Sequence, residues 1–150
     1  MIYLVHHGDA VPPEVDPQRP LSDRGRADAD RLANAAAGRG VKPAVIWHSG
    51  KLRARQTAEA FWRACNPLAS LTAVRGLQPS DPPEWMADHL RGEAREVMLV
   101  GHMPNLERLL NLLTEGRADG ERRFPAHGLV ALDEDGDRWV ERWTLGPAEI

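Results

Sequence analysis

The chain has 150 residues and a mass of 16.6 kDa, enough for one domain with a central sheet covered on both faces and too short for a second of similar size. Hydrophobic residues at 42% and charged residues at 27% exclude a disordered or membrane composition, and a net charge of -3 offers no broad field for nucleic acid or an anionic membrane. Any anion site must therefore be local, and the single cysteine, Cys65, rules out an intramolecular disulfide framework and a cysteine-rich metal site.

In chain order, an apolar run from Met1 to Val5 stops at His6-His7-Gly8-Asp9 and reads as a buried strand giving way to a loop. Val11 to Pro20 carries four prolines and reads as an ordered loop over the strand end. Ser22 is placed to cap a helix from about Asp23 to Gly38, with Ala29, Leu32, Ala33 and Ala36 on its apolar face. Pro43 separates it from a second strand, Ala44 to His48. Ser49-Gly50 then lead into a helix from about Lys51 to Ala64, and Ala54, Ala58, Phe61 and Cys65 fall on one stripe that buries the thiol as a small apolar group. A weaker strand, Leu71 to Val74, precedes a Pro-rich loop, Gln78 to Pro83, and a short helix around Glu84 to Arg91. The apolar run Val97 to Val100 leads into Gly101-His102-Met103-Pro104, where the proline can open a helix, Asn105 to Thr114, with Leu106, Leu109, Leu110 and Leu113 as its core face. Leu129 to Leu132 and Trp139 to Leu145, joined through Asp135-Gly136, read as an antiparallel hairpin. This order predicts a single α/β domain over 1–150, a three-layer α/β/α sandwich with a mostly parallel central sheet and a C-terminal antiparallel hairpin. The start of the chain shows no basic leader or apolar h-region, and no apolar run approaches the ~20 residues of a membrane span, so a cytoplasmic location is expected.

His7 and His102 each stand where a buried strand gives way to a loop or helix, and Arg53 stands at a third such junction. Parallel α/β sheets bind ligands beyond the carboxyl ends of their strands, so residues far apart in sequence can converge there. Two imidazoles and a guanidinium point to phosphoryl transfer through a histidine. A metal site is the competing reading, since His6, His7, His48, Asp9 and His102 are all first-row metal ligand types. Arg53 in the same pocket would repel a cation, and no metal is expected.

Three motifs in order, His6-His7-Gly8-Asp9-Ala10, Ser49 to Thr57 and Gly101-His102-Met103-Pro104, with Arg19 to Gly25 leading into the first helix, resemble the histidine phosphatase superfamily. Within it the chain is similar, over essentially its whole length, to the small SixA-type phosphohistidine phosphatases of phosphoglycerate-mutase-like fold. The resemblance implies that His7 is the nucleophile, forming a phosphohistidine that water hydrolyses. Arg53 would hold phosphoryl oxygens and His102 would stabilise the transferring group. It implies a metal-independent enzyme without a cofactor, whose substrate is a phosphorylated protein, such as a phosphorelay histidine domain, or a small phosphorylated compound. No nucleic-acid or membrane partner is expected.

Two departures stand out. The family's first motif begins with arginine where this chain has His6, which is expected to bind phosphate as a partly protonated substitute, or to leave that charge to Arg19, Arg55 or another nearby cation. Gly50 also stands where the family often has proline. A binding module without turnover is the reading from another class. The glutamate that phosphoglycerate-mutase-like members use to protonate an alkoxide has no clear counterpart; its position falls near Gly76, and Asp81 and Glu84 are the nearest carboxylates. An imidazole can leave already protonated and an alkoxide cannot, which favours phosphohistidine over sugar phosphates. Asp9 is expected to support the loop, Asn105 to cap its helix, Arg55 to face solvent, and His89 and His127 to be structural. His48 ends the second strand close to the expected pocket.

Overall fold

The computed structural model describes residues 1–150. Three apolar runs become strands because they are buried on both faces: β1 (Ile2–His6), β2 (Val45–His48) and β4 (Val97–Gly101). Successive side chains of a strand point to opposite faces. Thus Tyr3, Val5, Ile46, Met98 and Val100 pack on one side with the alanine-rich faces of α1 (Asp23–Gly38) and α2 (Leu52–Cys65). Ile2, Leu4, Val45, Trp47, Val97 and Leu99 pack on the other with Met86, Leu106, Leu109 and Leu110 of α3 (Pro83–Leu90) and α4 (Asn105–Glu115). The result is the expected α/β/α sandwich.

The sheet runs β3-β2-β4-β1-β5-β6, with β3 (Ser70–Ala73), β5 (Leu129–Asp135) and β6 (Arg138–Leu145) completing it. The four strands β1 to β4 are parallel, and β5 and β6 form the antiparallel hairpin. β5 extends three residues beyond the expected Leu132, through Asp133, Glu134 and Asp135, because that end of the hairpin faces solvent and carries no apolar signal. A turn at Gly136, φ 70°, returns the chain. β3 begins one residue early and pairs only with β2, as a mostly exposed edge.

Local chemistry sets the helix ends. Ser22 Oγ accepts the N–H of Gly25 at 3.0 Å and opens α1 as expected. Cys65 closes α2 half-buried against α1, its thiol on Ala33 O at 3.7 Å. Gly116, φ 81°, ends α4. No helix is long and apolar enough to cross a membrane. For function the register matters most: His6 lies beside Gly101 and His48 beside Val100, so β1, β2 and β4 all release their chains at one edge of the sheet.

Candidate active site

At that edge His7 is the first residue after β1, and its N–H donates to Gly101 O on β4 at 3.1 Å. This bond sets the nucleophile candidate beside His102, the residue after β4, with ring centroids 4.9 Å apart. The imidazole of His7 is 9% exposed, and Nδ1 donates to its neighbour's carbonyl, Gly8 O, at 2.7 Å. The lone pair of the neutral ring is therefore on Nε2. Burial lowers the His7 pKa to about 4, with the Gly8 bond opposing and the Arg53 charge adding to the fall. The loop is braced from two sides. Gly8 N–H donates to Thr57 Oγ1 at 3.0 Å, Thr57 donates to Arg53 O at 2.9 Å, and Leu21 N–H donates to Gln56 Oε1 at 2.7 Å.

Arg53 stands in the first turn of α2, its Nε buried without a hydrogen-bond partner. Burial and then the charge of Arg19 lower its pKa. A buried N–H of a guanidinium with nothing to donate to is costly, so the structure holds a donor ready for an anion. His102 is 2% exposed; its Nε2 lies 2.7 Å from Ser49 Oγ, and Nδ1 is a second buried atom without a partner. Burial, followed by the charges of His7 and Arg53, lowers its pKa to about 3.

His6 differs from expectation in its charge. Its Nδ1 accepts the N–H of His127 at 2.8 Å, and its ring stacks on that of His127 at 4.7 Å and 9°. Burial, then His7, His127 and Arg53, push its pKa down to about 3, so the ring is neutral rather than a partial cation. With Nδ1 accepting, the neutral ring carries its proton on Nε2. Arg19 is the permanent charge nearby: it bonds Val11 O through Nε at 3.0 Å with φ 50°, and its field reaches both His7 and Arg53.

His127 was expected to pack in its loop, and the loop it packs in is that of the site. Its own backbone is left-handed, φ 54°, and its Nδ1 donates to His7 O at 2.7 Å. Only the His-Gly step before β5 hinted at this. Ser49 and Thr57, inside the second motif, likewise support His102 and Gly8 without having been singled out.

Asn105 does not cap α4: it is the first helical residue after Pro104, fully buried, and its Nδ2 donates to Asp81 O at 2.8 Å, tying the Pro-rich loop to the helix. His48 is buried with Nδ1 accepting Gly50 N–H at 3.0 Å, so it shapes the turn before α2, where Gly50 has φ 90°. His89 stacks on Trp47 at 4.6 Å. Arg55 is exposed. Of the five possible metal ligands only His6 and His7 share a group, joined by His127, with one nitrogen of each within 4.8 Å of the others. His48 and His102 are turned to Gly50 and Ser49, and Asp9 accepts from Ser22 Oγ at 2.7 Å. Among the nearby carboxylates, Asp81 accepts Gln78 N–H at 3.0 Å and Glu84 is exposed in the first turn of α3.

Residues 2–87 match the histidine phosphatase superfamily (branch 1), and the chain belongs to that superfamily. Its fold is that of the SixA structures. The protein histidine phosphatase SixA bound to tungstate superposes with TM-score 0.87 at 24% identity, covering 98% of this chain and 97% of that one. A structure from Agrobacterium tumefaciens described as a phosphohistidine phosphatase SixA gives TM-score 0.79 at 30% identity, with 97% of each chain covered. A third so described, from Nakamurella multipartitia, gives 0.76 at 20% identity over 97% of this chain and 95% of that one. No curated protein matches by sequence.

Proposed function

We propose that the protein is a phosphohistidine phosphatase that dephosphorylates a protein through a covalent intermediate on His7. The observation that carries this reading is the set of free groups at one sheet edge: the Nε2 lone pair of His7 beside the unpartnered Arg53 Nε and His102 Nδ1. Nε2 of His7 attacks phosphorus, the P–N bond to the substrate imidazole breaks, and that imidazole departs already protonated. Water then attacks phosphorus, the P–N bond to His7 breaks, the water proton passes to a phosphate oxygen or solvent, and orthophosphate is released. Arg53, Arg19 and the Nε2–H of His6 hold the phosphoryl oxygens. Ser49 Oγ donates to His102 Nε2, which leaves the His102 proton on Nδ1 to stabilise the transition-state charge. The protonation state suits this, because a neutral His7 can attack throughout the physiological range.

The test is a quenched reaction of the protein with a radiolabelled phosphohistidine peptide, beside para-nitrophenyl phosphate and a sugar phosphate, with and without chelator. An acid-labile, base-stable label on the protein, absent from His7→Ala, is expected, with the peptide preferred and chelator without effect. Near wild-type turnover in a folded His7→Ala removes the covalent mechanism. Preference for the sugar phosphate instead assigns a phosphomonoesterase, and binding without any turnover assigns a module.

A further inference from the structure

Beside Arg53 the surface opens into a pocket of about 330 Å³ lined by Pro17, Gln18, Gly50, Lys51, Leu52, Arg53 and Arg55. Every charged residue in this lining is basic. The chain has an excess of acid, with 22 Asp and Glu against 19 Lys and Arg, and Arg19, Lys51, Arg53 and Arg55, gathered at one place, are among the ten of those cations that join no ion pair. Lys51, the residue before α2, and Arg55 in its first turn are both exposed and, four residues apart, share one side of the helix start, and with Arg53 they line the pocket. The first turn of α2 holds no acidic residue and Lys51 makes no side-chain cap, so the positive end of the helix is left uncompensated. The charge of Lys51 reaches the site, adding to burial, His7 and Arg53 in lowering the pKa of His102. Four cations without an ion-pair partner at one edge of an otherwise acidic protein make a local positive field that draws anions.

We infer that Lys51 and Arg55 form a second anion-recognition subsite, which selects phosphohistidine carried in an acidic segment of its protein. The occupant is a polypeptide because the pocket is shallow and its polar walls, Gln18, Lys51 and Arg55, are exposed, a surface for carboxylates along a chain rather than an enclosing cage. Arg53 lines the pocket and also faces the phosphoryl site, so a carboxylate one or two residues from the phosphohistidine meets the rim while the phosphoryl group meets His7. This inference rests on the proposed function for the phosphoryl group but concerns only the flanking residues.

The experiment measures binding by anisotropy on His7→Ala, where nothing can turn over, and KM on the wild type, with phosphohistidine peptides flanked by acidic, neutral or basic residues. The acidic peptide is expected to bind about tenfold tighter than the neutral one at low salt, with the gap closing as salt rises. Adding Lys51→Ala and Arg55→Ala should weaken the acidic peptide about fivefold and change the neutral peptide, and inhibition by vanadate, less than about twofold. Lys51→Glu with Arg55→Glu should shift the preference to the basic peptide. Equal binding of acidic and neutral peptides, or a loss in the double variant common to every peptide, overturns the subsite. Absence of turnover in the wild type with the flank preference intact would instead remove the phosphatase reading alone.

Discussion

The guanidinium of Arg53 gives the sharpest test at the scale of one residue, because its Nε is buried without a partner. Arg53→Ala should lose about 3 kcal/mol of transition-state stabilisation, the scale of one positioned donor, and weaken phosphate binding, measured by kcat/KM and by vanadate inhibition. Unchanged kinetics would make the orphaned donor a local defect. His6 allows a second test. Its ring is neutral, with a pKa near 3, and Nδ1 occupied by the N–H of His127. Phosphate affinity of the wild type and of His6→Arg should therefore run parallel from about pH 6.5 to 8.5, offset in favour of the arginine, since neither residue titrates there. Curves that converge at the acidic end would restore His6 as a partial cation. The arginine variant also leaves the His127 N–H without its acceptor, so its unfolding midpoint should fall by about 1 kcal/mol equivalent in a urea melt.

At the scale of elements, the loop after β1 and the first turn of α1 are in backbone contact. A Cβ at Gly25 would lie 2.0 Å from Asp9 O, and one at Gly8 would lie 3.0 Å from Gly25 O. Gly25→Ala must push backbone away from backbone, so a loss on the order of 2 kcal/mol is expected in denaturant melts, together with lower turnover as Asp9 and Gly8 shift beside His7. Stability and turnover within error of wild type would show that α1 can slide. β1, β2, β4 and α4 could be read because burial on both faces of a strand, or along one helix stripe, writes apolar runs and periodicities into the sequence. The placement of His7 and His102 at strand ends and of Arg53 at a helix start could be read because each directly follows such a run or lies in the first turn of the helix after it. His127 could not. Its bonds to His6 and His7 exist only through the pairing of β1 with β5, more than a hundred positions away in sequence, and no local pattern encodes that register. Asn105 departs from the capping expectation for a like reason, since capping is a local rule and its bond to the Asp81 carbonyl is tertiary.

For the molecule as a whole, His7 and His102, both buried, and the half-buried His6 are held in neutral form with pKa values of about 4, 3 and 3, against 6.5 when unfolded. Between about pH 4 and 6.5 the unfolded chain binds more protons than the folded one. Stability is therefore full above pH 6.5 and falls as the pH drops, by up to about 1.4 kcal/mol per pH unit for each ring. Urea midpoints at pH 4.5, 5.5, 6.5 and 7.5 should decline across that window, and a flat series would mean the rings protonate in place. Glu93, its carboxyl lowered to about 2 by Arg95, adds a loss only around and below its ordinary 4.5, so the decline from pH 7.5 to 5.5 belongs to the imidazoles. The bond from His7 N–H to Gly101 O ties the chain leaving β1 to the end of β4, and both of these neighbouring strands are buried on both faces. In native-state hydrogen exchange the His7 amide should hold its proton about as long as the slowest amides of β4, while the Arg19 and His127 amides, on loops, exchange through smaller openings. Exchange at His7 would then time the life of the whole sheet, and the spacing of the two central imidazoles would persist through every motion short of unfolding.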